Sequence, residues 1–236
     1  MTTQHPAIMN RKRSRLAPDS DDEDAQQRRE PSPALPTFSD TLKRSKTQCE
    51  LDDLDMIGIE KAWHIDVDAI LASETLATAP GSMLAVHDNW GRYGKDESIV
   101  VICVQGNMHL HYDLLCESLP SLYTLSPSLQ ALVLCHDPST HTLSTTAPFS
   151  LPLIQAVAPL QNHFVRLGLL HPLGGGKLPL DALVVLDWKG RRRLVLPFGW
   201  GAGKHVGTPA GGSIQTQLVK LLMHCVDTLE QERDQT

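Results

Sequence analysis

Apolar residues are spread unevenly along this chain, and the break near residue 50 limits what each part can fold into. Residues 1–50 hold 12 apolar residues, whereas the 186 residues that follow hold 85. A segment so poor in apolar surface cannot offset the entropy lost on ordering, but the longer segment can. The sequence therefore predicts a disordered tail over 1–50, an acidic amphipathic helical segment over 51–80 and an α/β domain over 81–236.

Charge in the first segment is nearly balanced, 9 basic against 8 acidic residues, but it is sorted into blocks. Arg11-Lys12-Arg13-Ser14-Arg15 is followed by Asp19-Ser20-Asp21-Asp22-Glu23-Asp24, and later by Lys43-Arg44-Ser45-Lys46. Pro6, Pro18, Pro31, Pro33 and Pro36 break any helix the blocks could seed. Lys12, Arg13 and Arg15, and again Lys43, Arg44 and Lys46, have the pattern of nuclear import signals. An extended basic run of this kind lays its cations into the acidic, aromatic-lined pockets of an import carrier. Ser14, Ser20, Ser32 and Ser45 stand inside or beside these blocks as candidate phosphorylation sites, where a phosphate would offset part of a basic cluster. The chain as a whole has a formal charge of −6, and residues 51–236 carry 12 basic against 19 acidic residues. That balance supplies no broad basic field and argues against direct nucleic-acid binding. No apolar run is long enough to span a membrane, and no secretory signal opens the chain. Five cysteines without framework or CxxC spacing fit reduced thiols in an intracellular protein.

Glu60 to Ala77 places Trp63, Val67, Ile70 and Leu71 at helical spacing. Strands are expected at Met83–His87, Ser98–Val104 and Leu129–Cys135, the latter two continuously apolar and so buried on both faces. A helix is expected from His109 to Leu119 and mostly helical structure from Pro152 to Leu170. Leu183–Asp187 and Arg191–Leu196 read as a hairpin closed by Asp187-Trp188-Lys189-Gly190. Ser213 is the expected cap of a closing helix that carries Leu218, Leu222, Cys225 and Leu229 on one side.

This order, with strand and helix alternating before a hairpin and a last helix, predicts a mixed central sheet with helices on both faces. With Pro179 ahead of a strand and the Asp-x-x-Gly hairpin, residues 83–230 resemble the thioredoxin-like fold, peroxiredoxin branch. The resemblance implies a proline, often cis, just before the hairpin strand. It also implies a cysteine at the turn after the first long strand, where a helix start lowers the thiol pKa. That turn reads Gln105-Gly106-Asn107-Met108-His109, without a cysteine. Cys103 and Cys116 flank it and read as core residues; they are also the residues a thiol-dependent peroxidase or oxidoreductase would have to use.

Other constellations are weaker. His87-Asp88, His109, His111 and His136-Asp137 fall near strand ends, where a metal site of imidazoles and carboxylates could gather, though ordinary loop histidines give the same pattern. Gly199 to Thr208 and Gly174-Gly175-Gly176-Lys177 fail the phosphate-loop pattern, because His205 and Leu178 follow the lysines. They read as loops, the first partner-facing through Trp200 and Lys204. Arg191, Arg192 and Arg193 alternate across a strand, so at least one faces inward or toward a neighbour. Neither a cofactor nor a metal is implied. The basic run at Lys43 leading into an acidic segment, with the Gly/Trp-rich Gly199–Lys204, also resembles the clampless-type regulators of sexual development in mushroom-forming fungi. Together these readings predict a nuclear, non-enzymatic regulator of development or transcription acting through other regulatory proteins.

Overall fold

The computed structural model describes residues 54–76, 90–106, 110–137, 141, 151–197 and 208–235. All six import residues and all four candidate phosphorylation serines lie outside them, as do the expected strand at Met83–His87, His109 and the Gly199 loop with Trp200 and Lys204. No described helix is long and apolar enough to cross a membrane.

The core is a five-stranded mixed sheet. Its strands are β1 (Val100–Gln105), β2 (Gln130–Cys135), β3 (Leu153–Gln155), β6 (Ala182–Leu186) and β7 (Arg192–Pro197), in the order β3-β2-β1-β6-β7. β1, β2 and β3 run parallel, β6 runs against β1, and β7 runs against β6. Helix α2 (Leu110–Leu125) connects β1 to β2, and α4 (Pro209–Asp234) closes the chain. A parallel β-α-β unit thus shares one sheet with an antiparallel β-β-α unit, the thioredoxin-like arrangement expected from the element order.

Alternation along each strand builds two cores. Val101, Cys103, Val133, Leu183, Val185 and Leu196 face α2 and α4. Val100, Ile102, Val104, Leu132, Val184 and Leu186 face the two short helices α1 (Val67–Leu71) and α3 (His163–Leu167). Burial on both sides is why β1 and β2 read as unbroken apolar runs.

Several local expectations are corrected. The helix over 60–77 is only five residues long. Its neighbours are extended because the sheet edges claim their backbone groups. Ile57 N–H donates to Arg193 O (2.7 Å), Ile65 N–H to Gly190 O (2.8 Å) and Arg192 N–H to Trp63 O (3.0 Å), while Leu76 N–H donates to Leu153 O (2.7 Å) on the opposite edge. Asp66 starts α1 by accepting Ala69 N–H. Trp63 is half-exposed rather than packed over the sheet. Residues 152–170 are mostly not helical: they give β3, a small hairpin of β4 (Val157–Ala158) and β5 (Gln161–Asn162) with Pro159-Leu160 at its tip, and α3. Asn162 caps α3 and Gly168, in the left-handed region, ends it. Helix α2 does not end at Leu119 but runs through Pro120 to Leu125, with Leu119 and Leu122 wholly buried on either side of the proline. Helix α4 begins at Thr208, whose hydroxyl accepts Gly211 N–H (3.2 Å), with Pro209 in the first turn; Ser213 is not the cap. Pro179 is trans, since the described residues contain no cis peptide bond.

The β6–β7 hairpin has the expected Asp187–Gly190 connection. Asp187 Oδ1 accepts the N–H groups of Lys189 (3.0 Å) and Arg191 (2.9 Å). Gly190 sits at φ 71°, and a Cβ there would meet Ile65 O at 2.7 Å, so only glycine closes this turn.

Candidate functional site

The C-terminal edge of β1 is where a thioredoxin-like protein would hold its reactive thiol, and here polar groups occupy it with one another. Gly106 N–H donates to Asp181 Oδ1 (2.7 Å), and Gln105 Oε1 stands 2.7 Å from His141 Nδ1. The His141 ring meets the Tyr112 ring edge-on, centroids 4.8 Å apart. Tyr112 is wholly buried and hydrogen-bonded to Cys116. Cys103 and Cys116 are each 1% exposed. Burial pushes the Cys103 thiol well above its ordinary pKa and the Cys116 thiol up to about 11. No cation among the described residues offsets that cost, and the Tyr112 hydrogen bond relieves it only in part at Cys116, so both sulfurs are held as thiols at pH 7. Cys135 and Cys225 are buried as well.

Of the candidate imidazoles, His87 and His109 lie outside the described residues. His111 points into the core from α2, and burial lowers its pKa to about 3. Among the described residues no group of three His, Cys, Asp or Glu side chains stands together that could hold a metal ion.

Ser73 and His163 form a second pairing, with Ser73 Oγ 2.8 Å from His163 Nε2 beside a hollow of about 340 Å³ lined by Ser73, Gln155 and Gln161. Its setting differs from that of a serine nucleophile and its base. Ser73 Oγ also stands 2.9 Å from Ala69 O and 3.5 Å from Gln161 Oε1, two acceptors that compete with Nε2 for its one proton. His163 is buried, and burial, then the nearby Arg166 charge, lowers its pKa to about 4. A pairing of this kind pins α1 to α3, and an imidazole of so low a pKa is a weak base toward the serine.

The three consecutive arginines separate by face. Arg193 is buried, and each of its three guanidinium nitrogens donates a hydrogen bond. Nη1 and Nη2 hold Glu232 at 2.6 and 2.9 Å, Nε donates to Ile57 O (2.8 Å), and Asp187 lies 3.7 Å away. Arg191 pairs with Asp187 at 2.7 Å. Arg192 stacks 4.1 Å over the Trp63 ring and donates to Leu167 O. A Cβ at Gly168 (φ 71°) would meet that ring at 2.9 Å, so the glycine lets the stack lie flat on the end of α3.

Beyond this stack the surface is apolar. Val165 (56%), Leu173 (88%) and Leu178 (42%) are exposed, as is Leu160 at the β4–β5 tip. With Trp63 they make up five of the seven exposed large apolar residues among those described, a clustering that isolated surface residues do not show. The 171–178 loop is internally bonded, His171 N–H to Leu178 O (2.9 Å) and Leu178 N–H to Gly174 O (3.1 Å), and Asn162 Nδ2 ties it to α3 through Gly176 O (2.9 Å). Its side chains are therefore held outward by a satisfied backbone. The charged residues of α3 and this loop are Arg166 and Lys177, and Asp66 of the α1 cap also acts on His163. No acidic residue occurs between Asp137 and Asp181. That gap was the available sequence signal; without the loop's closure onto α3 it does not say which residues share a surface.

No family model matches this chain. Over 50 residues it is 54% identical to Uba3-binding protein but1 of Schizosaccharomyces pombe, a match spanning 21% of this chain and 19% of that protein. Among solved structures it is similar to thioredoxin peroxidase I of Plasmodium yoelii, at a TM-score of 0.35 and 13% identity over 54% of this chain and 74% of that one. The bacterioferritin comigratory protein of Xanthomonas campestris gives 0.35 and 12%, over 58% and 85%. Both neighbours have the thioredoxin-like fold, which the strand order and directions establish here. Activity does not transfer from either at these scores.

Proposed function

We propose that this protein is a nuclear, non-enzymatic regulator of development or transcription that works through contacts with other proteins. The observation that carries the reading is the exposed apolar face of α3 and the 171–178 loop, set against the deep burial of Cys103 and Cys116. The two basic clusters at Lys12–Arg15 and Lys43–Lys46 supply the import part. The local likeness to a yeast protein is to one named for binding another protein, Uba3.

Alanine replacement of Lys12, Arg13, Arg15, Lys43, Arg44 and Lys46 in a fluorescent fusion is expected to abolish nuclear enrichment; enrichment that persists removes the import claim. The competing thiol-peroxidase reading needs Cys103 or Cys116 to react. Titration of the folded protein with peroxide is expected to give no rapid sulfenic acid at either residue. Fast, stoichiometric oxidation at one of them would replace this reading with an enzyme.

A further inference from the structure

We infer that the face formed by α3 and the 171–178 loop docks an acidic amphipathic segment of a partner protein, its apolar side over Val165, Leu173 and Leu178 and its carboxylates toward Arg166 and Lys177. This rests on the reading that the protein acts through protein contacts, and it specifies the chemistry of the partner. Three observations support it. The exposed apolar side chains stand on segments tied to α3, the loop through the Asn162–Gly176 bond and Trp63 through Arg192, which donates to Leu167 O, so a partner meets several of them on one part of the surface. The face is preformed, because the backbone of the loop bonds to itself and to α3, so a partner does not have to order it. Its charge is segregated: residues 51–236 carry 19 acidic against 12 basic residues, yet the stretch from Asp137 to Asp181 contains no internal carboxylate. Arg166 and Lys177, both exposed, are therefore the formal charges this stretch offers an acidic segment. Glu74 stands beside the hollow next to Leu160.

The test uses the full chain and a fluorescein-labelled helical probe peptide with leucines at positions i, i+3, i+4 and i+7 and glutamates between them. A matched peptide with lysines in place of the glutamates is the control. Fluorescence anisotropy is expected to show saturable binding of the acidic peptide, weakened by salt, and none of the basic one. Leu173→Asp and the double variant Arg166→Glu/Lys177→Glu alter only exposed side chains and are each expected to weaken binding by about tenfold or more at an unchanged melting temperature. Hydrogen exchange is expected to slow over 163–178 when the peptide is bound. No binding, equal binding of both peptides, or binding indifferent to the variants overturns the inference. A concentration-dependent dimer abolished by Leu173→Asp would assign the face to a second copy and overturn it as well. Tighter peptide binding when Asp21, Asp22, Glu23 and Asp24 are made amides would assign it to this chain's own acidic block, with the same consequence. Nuclear import is untouched by any of these results, so failure here and failure of the import reading are separate outcomes.

Discussion

His163 shows how a single buried polar side chain ties stability to pH. Its Nε2 stands 2.8 Å from Ser73 Oγ, and burial holds the ring neutral, its pKa lowered from 6.5 to about 4. His111 follows the same rule, down to about 3. Both groups bind protons more weakly in the folded chain than in the unfolded one. Their contribution to stability is therefore complete above pH 6.5 and is lost as pH falls toward 4 and then 3. At roughly 1.4 kcal/mol per pKa unit the His163 share is on the order of 3 kcal/mol. Urea midpoints are expected to fall steadily from pH 7 to pH 4. His163→Gln, which keeps a hydrogen-bonding group for Ser73, is expected to flatten that fall while costing about 1 kcal/mol at pH 7. An unchanged pH slope in the variant would mean that His163 takes up its proton without penalty.

Between elements, Arg193 is the main polar junction. It joins β7 to the C-terminal turn of α4 through Glu232, to the Asp187 hairpin, and to the 54–76 segment through Ile57 O. Its bond to Glu232 holds that carboxylate below the usual range. Arg193→Ala leaves Asp187, wholly buried, with Arg191 as its remaining cation, and it strips Glu232 of two bonds. The expected loss is about 3 kcal/mol by chemical denaturation; Arg193→Lys, which keeps the charge but not the fork, is expected to lose about half of that. A loss below about 1 kcal/mol for alanine would show that water replaces the pair readily. The triple arginine was legible in the sequence as an alternating strand with an inward member, but which arginine turned inward was not, because Glu232 lies 39 positions away. The same limit applies to whole elements. β1, β2, the hairpin and α4 announce themselves by apolar runs, turn chemistry and a helical stripe. Residues 60–77 carry a helical stripe too, yet the open edges of β7 and β3 compete for their backbone groups and win everywhere outside Val67–Leu71. Residues 152–170 fail as a helix for a similar reason, since Leu153 and Ile154 complete the parallel sheet beside β2. Of the candidate face, only the gap in acidic residues could be read from the sequence.

At the scale of the whole described unit, residues 54–76 act as a strap that solves the edge problem of the sheet. Ile57 and Trp63–Ile65 bond to residues 190–193 at the start of β7, α1 crosses one face, and residues 74–76 pair along β3. Both edges would otherwise present unpaired N–H and C=O groups, an invitation to pairing between chains. The crossing also buries Ile65, Val67, Ile70 and Leu71 against Val100, Ile102 and Val104. The strap is thus part of the core and not a recruiting arm. Ile70, 1% exposed, is the sharpest probe, because truncation leaves a cavity under α1 without touching either edge. Ile70→Ala is expected to cost about 3 kcal/mol. A chain starting at residue 77 loses the apolar cover and both edge pairings at once. It is expected to bind hydrophobic dyes and aggregate, whereas Ile70→Ala stays monomeric and melts cooperatively at a lower temperature. The contrast separates two roles of the segment: if the shortened chain also remains monomeric, edge protection is not what the strap provides, and its contribution is burial alone.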